Sequence, residues 1–253
     1  MRALLFDAGN TKLKWGVLDG GELVRTGSIA QQTLRESGFS ALTTRLPRRI
    51  DRVIACNVAG QTFATRLSGV IGIHCERDVH FVRSEAEAHG VTSGYANPRQ
   101  LGVDRWVAMI GARAAWQKAL LVVDAGTAVT IDALDRTGRH LGGRIVPGLH
   151  LMCDALNTET SDIARAASTR RTRASAAGLF ATDTKAAVET GALSAVCGAV
   201  ERAARELRGT GARPVVVLTG GDASRILALL EGKPIHRPNL VLEGLAHILT
   251  SET

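Results

Sequence analysis

The sequence predicts an α/β chain built from two duplicated halves. Three observations carry this: an internal repeat, alternating strand and helix signals, and glycine turns at the ends of apolar runs. Leu4-Leu5-Phe6-Asp7-Ala8-Gly9-Asn10-Thr11 is echoed by Val122-Val123-Asp124-Ala125-Gly126-Thr127-Ala128-Val129-Thr130, with Asp7 and Asp124 lying 117 positions apart in 253. Each copy is an apolar run ending in Asp-Ala-Gly and followed by a second β-type run, Lys12 to Leu18 or Ala128 to Leu134, which reads as strand, tight turn, strand. A Leu-Asp pair closes each unit, Leu18-Asp19 and Leu134-Asp135, before a Gly-containing turn and a third apolar stretch. Two such turns facing each other across a cleft could hold a metal-bound polyphosphate on backbone N–H groups and acidic side chains. The pattern points to a nucleotide-using enzyme.

The remaining elements follow in order. Arg52 to Asn57 reads as a strand, Gln61 to Leu67 as a short helix and Val79 to Val82 as a strand, while Glu85 to Gln100, with Gly90, Gly94 and Pro98, reads as loop. An amphipathic helix is expected from about Asp104 to Ala119, with Val103, Trp106, Val107, Ile110 and Ala114 on one face. In the second half a helix closes at Ala155 to Asn157, an Ala-rich helix runs from Asp183 to Leu207, Pro214 to Leu218 forms a buried strand, and a last helix follows Asn239. The domain boundary is expected near residue 117, giving domains 1–117 and 118–253.

Composition narrows the function classes. At 26.7 kDa, with 45% hydrophobic and 22% charged residues, the chain suits one large core or two modest ones. No apolar stretch reaches the roughly 20 residues that cross a bilayer, and Asp7 interrupts the first apolar run, so neither a membrane partner nor a signal peptide is expected. A cytoplasmic location follows as the expectation. Cys56, Cys75, Cys153 and Cys197 are widely spaced and read as buried thiols, and the seven histidines show no ligand spacing. The net charge of +7 fits a nucleic-acid partner or an anionic substrate. Its densest cluster, Arg165 and Arg170-Arg171-Thr172-Arg173, has only Phe180 near it, which favours a solvated basic loop over a nucleic-acid surface.

No G-x-x-x-x-G-K-[ST] or G-x-G-x-x-G motif occurs, so a nucleotide must be held otherwise. Thr219-Gly220-Gly221-Asp222, after the Val-rich strand, is the third candidate element, because glycines let backbone approach a ligand closely. The run Asp7, Ala8, Gly9, Asn10, Thr11, Lys12, Leu13 and Lys14 is the first. There Gly9 permits the turn, Asn10 and Thr11 offer donors to phosphate oxygens, Lys12 and Lys14 add positive charge, and Asp7 suits magnesium through water. Asp104, just before a long helix, has the look of an N-cap, yet a kinase also needs a carboxylate near the acceptor hydroxyl, and Asp104 is the candidate general base. Tyr95, the only tyrosine, lies in a loop that could wall a pocket.

The two hairpins, the Gly-Gly turn and the two-half layout resemble the acetate and sugar kinase, Hsp70 and actin superfamily. Within it, Tyr95-Ala96-Asn97-Pro98-Arg99-Gln100-Leu101-Gly102-Val103-Asp104-Arg105-Trp106, Gly142-Gly143-Arg144-Ile145-Val146-Pro147-Gly148-Leu149 and Asn239-Leu240-Val241-Leu242-Glu243-Gly244-Leu245 resemble the motifs of type III pantothenate kinases over nearly the whole chain. The resemblance implies two ribonuclease H-like (actin-like ATPase) domains with a cleft between them. It implies transfer of the ATP γ-phosphate to pantothenate, with Mg2+ and a monovalent cation, K+ or NH4+, as cofactors. By the same resemblance Asp124 helps bind the monovalent cation, Thr127 contacts ATP, and Gly102, Val103, Asp104 and Arg105 hold pantothenate; from the residues themselves, Gly220 and Gly221 are added as ATP contacts and Tyr95 as a wall of the pantothenate pocket. Arg105 suits bidentate pairing with its carboxylate. Thr184 reaches pantothenate from the partner subunit of a homodimer. Family members usually carry Asn where this chain has Ser93, two residues before Tyr95. Two other functions stand beside this one: another small-molecule kinase of the superfamily, and a basic regulatory or transcription accessory protein. An intact Gly102-Val103-Asp104-Arg105 with both Asp-Ala-Gly turns favours a kinase, because a binding module has no chemical need of them.

Overall fold

The computed structural model describes residues 1–159 and 180–251, and the basic cluster at Arg165 and Arg170–Arg173 lies outside the described residues. The chain divides into two compact units, 1–120 with 134–142 and 239–253, and 121–133 with 143–238. Each carries most of one five-stranded sheet.

The first sheet contains β1 (Arg2–Ala8), β2 (Lys12–Asp19), β3 (Glu22–Ala30), β4 (Arg52–Asn57) and β5 (Val79–Phe81), in the order β3-β2-β1-β4-β5. β2 runs antiparallel to both β1 and β3, whereas β4 pairs parallel with β1 and β5 with β4. Ala3, Leu4, Leu5 and Phe6 of the central strand are fully buried, which is why β1 reads as an unbroken apolar run rather than an alternating one. Leu4 and Phe6 join a core with Leu34 of α1 (Gln31–Glu36), Leu42 of α2 (Ser40–Thr43) and Leu67 and Ile71 of α3 (Gln61–Cys75). Ala3 and Leu5, one residue out of phase, face the opposite side.

A short hairpin, β6 (Glu87–Ala88) and β7 (Val91–Thr92), leads to α4 (Val103–Ala115). Helix α4 differs from its expected one-faced character: it is buried continuously from Arg105 to Arg113. The cause is the closing helix. Glycine faces glycine where the two helices cross, and a Cβ on Gly111 would stand 2.7 Å from the Leu240 carbonyl oxygen and 2.9 Å from the Gly244 nitrogen. Helix α4 also ends at Ala115 rather than near Ala119, because Trp116 is extended and the Gln117 side chain donates to the Arg113 carbonyl at 2.9 Å.

The second sheet contains β8 (Leu120–Ala125), β9 (Ala128–Leu134), β10 (His140–Pro147), β11 (Val215–Thr219) and β12 (Ile235–His236), in the order β10-β9-β8-β11-β12. This is the strand order of the first sheet repeated, the duplication that the two Asp-Ala-Gly segments predicted. Helices α5 (Leu149–Glu159), α6 (Thr184–Gly209) and α7 (Ala223–Leu227) cover it, with Val196, Val200 and Ile226 packed on Leu121, Val123 and Leu218. The closing helix, α8 (Leu240–Ser251), groups with the first unit although the sequence reading set residues 118–253 apart as one domain. Its mutual approach with α4 explains the grouping. Among the described residues no helix is long and apolar enough to cross a membrane.

Candidate active site

Asp7 is the half-buried next-to-last residue of β1, and the turn after the strand is closed by the Gly9 N–H donating to the Lys12 carbonyl at 3.1 Å. Gln31, at the start of α1, ties this turn down from both ends: its backbone N–H donates to the Thr11 carbonyl at 2.8 Å and its side-chain amide to the Gly9 carbonyl at 2.9 Å. Ala8 and Leu13 are fully buried under the turn, so any contact they make with a ligand is through backbone, whereas Asn10, Thr11 and Lys12 are exposed. Lys14 stands directly across from Asp7 in the β1–β2 ladder.

Asp7 meets two further groups that no local pattern announces. Cys56 is its partner in the parallel β1–β4 register, and the thiol donates to Asp7 Oδ1 at 3.4 Å. Burial raises the Asp7 carboxyl above the usual range, the Lys14 ammonium and the Cys56 thiol pull it back, and the Asp104 charge raises it further. The Cys56 thiol is itself pushed well up by burial and by the fields of Asp7 and Asp104, which keeps it a neutral donor. The two carboxylates, distant in sequence, thus share one electrostatic environment. Like charges held close in a half-buried site are the arrangement a divalent cation relieves.

Asp104 is the second residue of α4, and Gly102 is the N-cap, so the capping role that the sequence invited belongs to a glycine. The Asp104 side chain accepts from the Arg105 N–H at 2.8 Å, one of the first-turn donors that has no helical partner. A Cβ on Gly102 would sit 2.7 Å from Asp104 Oδ1, so the missing side chain is what gives this carboxylate its place.

Arg105 is 6% exposed, donates to the Tyr95 hydroxyl at 3.0 Å, and lies 5.7 Å from the centre of the same ring. On its other side Tyr95 stacks on His140, with centroids 5.8 Å apart and planes 14° from parallel. Sequence reasoning missed His140, which has no ligand spacing and reaches Tyr95 only because the 134–142 hairpin tip belongs to the first unit. Ser93 replaces the family's usual Asn with the same local geometry: its hydroxyl accepts from the Tyr95 N–H at 3.2 Å, the bond that an Asn side chain makes in an Asx-turn. Gly94 is also confined, since a Cβ there would run into the His140 carbonyl.

In the second unit the turn after Asp124 is closed by the Gly126 N–H on the Ala128 carbonyl at 3.1 Å, one residue tighter than its counterpart at Gly9. Gly148 packs against this turn, its N–H donating to the Thr127 carbonyl at 2.9 Å. Gly220, at φ +95°, lies so near that a Cβ would be 2.5 Å from Asp124 Oδ1, and the Asp222 N–H donates to the Ala125 carbonyl at 3.0 Å. The Gly-Gly turn therefore belongs to the same constellation as Asp124, with Thr127 and Gly221 exposed at its edge. Thr184 stands apart at the first turn of α6. It is exposed, and Asp183 caps the helix by accepting from the Ala186 N–H at 2.9 Å.

Comparison with known proteins bears on the fold and the family. Two solved structures share the fold end to end: a candidate 2-dehydro-3-deoxygalactonokinase of Sinorhizobium meliloti, with a TM-score of 0.63, 14% identity and 99% of each chain covered, and a candidate Baf-family transcriptional activator of Campylobacter jejuni, with a TM-score of 0.61, 20% identity and 98% of each covered. At those identities they speak for the fold alone. The sequence relatives are nearer. A type III pantothenate kinase of Nitrosococcus oceani is 34% identical over 97% of this chain and 92% of its own, and one of Aromatoleum aromaticum is 39% identical over 96% of each. The type III pantothenate kinase family model matches residues 3–206, and the chain belongs to that family.

Proposed function

We propose that the chain transfers the γ-phosphate of ATP to the 4′-hydroxyl of pantothenate, giving 4′-phosphopantothenate and ADP, the first step of coenzyme A synthesis. The observation that carries this reading is the pair Asp7 and Asp104, two carboxylates in one electrostatic environment with Arg105 and Tyr95 beside them. Asp104 orients the acceptor hydroxyl and takes its proton as the O–P bond forms and ADP departs. Arg105, held against Tyr95, pairs with the pantothenate carboxylate, and Gly102 and Val103 lie against the substrate. Asp7 to Lys14 cradle the phosphates of ATP, with Thr127, Gly220 and Gly221 completing the nucleotide contacts.

The residues suit the expected cations. Among the described residues no three His, Cys, Asp or Glu side chains converge into a metal cage. A lone half-buried carboxylate is nonetheless what Mg2+ needs when substrate phosphates and water supply its other ligands, and Asp7 fits that part. Asp7 would hold the ion there, and the chemistry supplied would be neutralisation of the phosphate charge. Asp124, a hard oxygen donor with bare Gly220 against it, fits K+ or NH4+. The test is ADP release with purified protein and pantothenate, in K+, NH4+ or Na+ buffer. Turnover is expected with Mg2+ and either of the first two ions, and to collapse in Na+ alone. ADP release only with other acceptors would overturn pantothenate as substrate, and indifference to the monovalent ion would overturn the role of Asp124.

Homodimer formation with a shared site belongs to the same proposal. Thr184, Ala187, Gly191, Ala195 and Gly198 form an exposed stripe of small residues along α6, opposite the buried Ala192, Val196 and Val200. Such a stripe lets two helices approach closely. Mixing inactive Asp104→Asn with a protein inactivated by Thr184→Trp should restore about a quarter of wild-type sites after random subunit exchange, because each mixed dimer has one pocket free of both changes. No recovery after exchange verified with tagged subunits would put Thr184 outside a shared site. The four free cysteines fit work in the reducing cytoplasm.

A further inference from the structure

Beside the Gly9 turn the first unit holds a cavity of about 300 Å3, lined by α1, α3 and Asn10, a volume at the lower end for small-molecule sites. Its floor is apolar: Leu34 and the Phe39–Phe63 pair, whose ring centres are 5.7 Å apart. Its rim is cationic. The Arg66 guanidinium lies 5.5 Å from the Phe39 ring centre and Arg35 stands at the end of α1, and among the described residues neither arginine pairs with a carboxylate. Among the described residues no aspartate or glutamate lines the cavity.

Two uncompensated guanidinium groups over an aromatic floor select for a ligand with a doubly charged head and an apolar body, because Arg forks match phosphate oxygens and the rings remove apolar surface from water. The first turn of α3 at the cavity wall adds to this preference, having neither a side-chain cap nor an acidic residue. The wall is fixed in advance. Gln31, 5% exposed, is held to both ends of the neighbouring turn, so the cavity needs little ordering before it binds.

We propose that this cavity, which meets the nucleotide contacts at Asn10 and shares no residue with the pantothenate contacts, is a binding site for a phosphate monoester with an apolar body. The probe is phenyl phosphate, titrated calorimetrically into the full chain with a non-hydrolysable ATP analogue, Mg2+ and pantothenate at saturation, so that those contacts are filled. Binding near 1 mM or tighter is expected for a ligand of this size. The double variant Arg35→Ala/Arg66→Ala should bind at least about 10-fold more weakly, since charge-assisted hydrogen bonds are lost. Both arginines are exposed, so the variant should keep its fold and its turnover. Inorganic phosphate, which lacks the body, and benzoate, which lacks the second charge, should each bind about 10-fold more weakly than phenyl phosphate. Failure of the wild type to bind phenyl phosphate, unchanged binding in the double variant, or equal binding of inorganic phosphate or benzoate would each overturn the assignment.

Discussion

Asp104→Asn should lower kcat for pantothenate phosphorylation by about 10²- to 10⁴-fold, the range expected when a positioned proton acceptor is removed. The replacement keeps shape. An Asn oxygen can still accept from the Arg105 N–H, now 2.8 Å from Asp104 Oδ1, so the start of α4 and the Arg105–Tyr95 contact should persist. The KM for ATP should change little. The same substitution carries an internal check, because the Asp104 charge is one of the influences that raise the Asp7 carboxyl. Removing it should let Asp7 ionise at lower pH, shifting its titration, followed by the carboxyl resonance in NMR, to the acid side. Near-normal turnover would reduce Asp104 to a support for the first helical turn, and an unmoved Asp7 titration would show that the two carboxylates are not coupled.

Asp7→Asn should act in opposite directions on activity and stability. Turnover should fall at least about 10²-fold, since the phosphates lose the carboxylate that fits Mg2+. Stability at neutral pH should rise. The Asp7 carboxyl is raised in the folded protein, chiefly by burial, so its ionised form costs folding energy. That cost is absent below the ordinary carboxylate range, grows as pH rises from there through the raised folded value, and is complete above it. The denaturation midpoint of Asp7→Asn should therefore exceed wild type at pH 7 and converge with it in acid. Loss of a partner for Lys14 opposes the gain without reversing it, because burial is the first cause of the shift. A variant less stable than wild type at pH 7, or one whose advantage is unchanged in acid, would contradict this account. A group that weakens the fold yet stays at the turn is what a site held for function rather than stability looks like.

The connection between the two carboxylates could not be read from the chain. The sequence places Asp7 at a turn and Asp104 at a helix start, and each has an ordinary structural role there. What joins them is the parallel pairing of β1 with β4 and the docking of α4 on that sheet. Cys56 shows the same limit. A lone buried thiol is unremarkable in sequence, and only the register Asp7↔Cys56 makes it a hydrogen-bond donor to the carboxylate. His140 had no signal at all, because its contact with Tyr95 depends on the 134–142 hairpin tip belonging to the first unit.

The repeat itself, both Asp-Ala-Gly turns, the Gly-Gly element and most strands and helices were determined by the sequence alone. These features are local: a strand needs an apolar run, a tight turn needs glycine, and both signals lie within a few neighbouring residues. Length and partnership were decided by the tertiary structure. Helix α3 extends to Cys75, beyond the expected Leu67, because Ile71 and Cys75 find the core of the first sheet. Helix α4 is buried on every side, and α8 leaves the second half for the first, because Gly111 and Gly244 let two backbones touch. Those outcomes depend on which surfaces meet, and the free energy of burial and close approach is a property of the pair, carried by neither segment on its own.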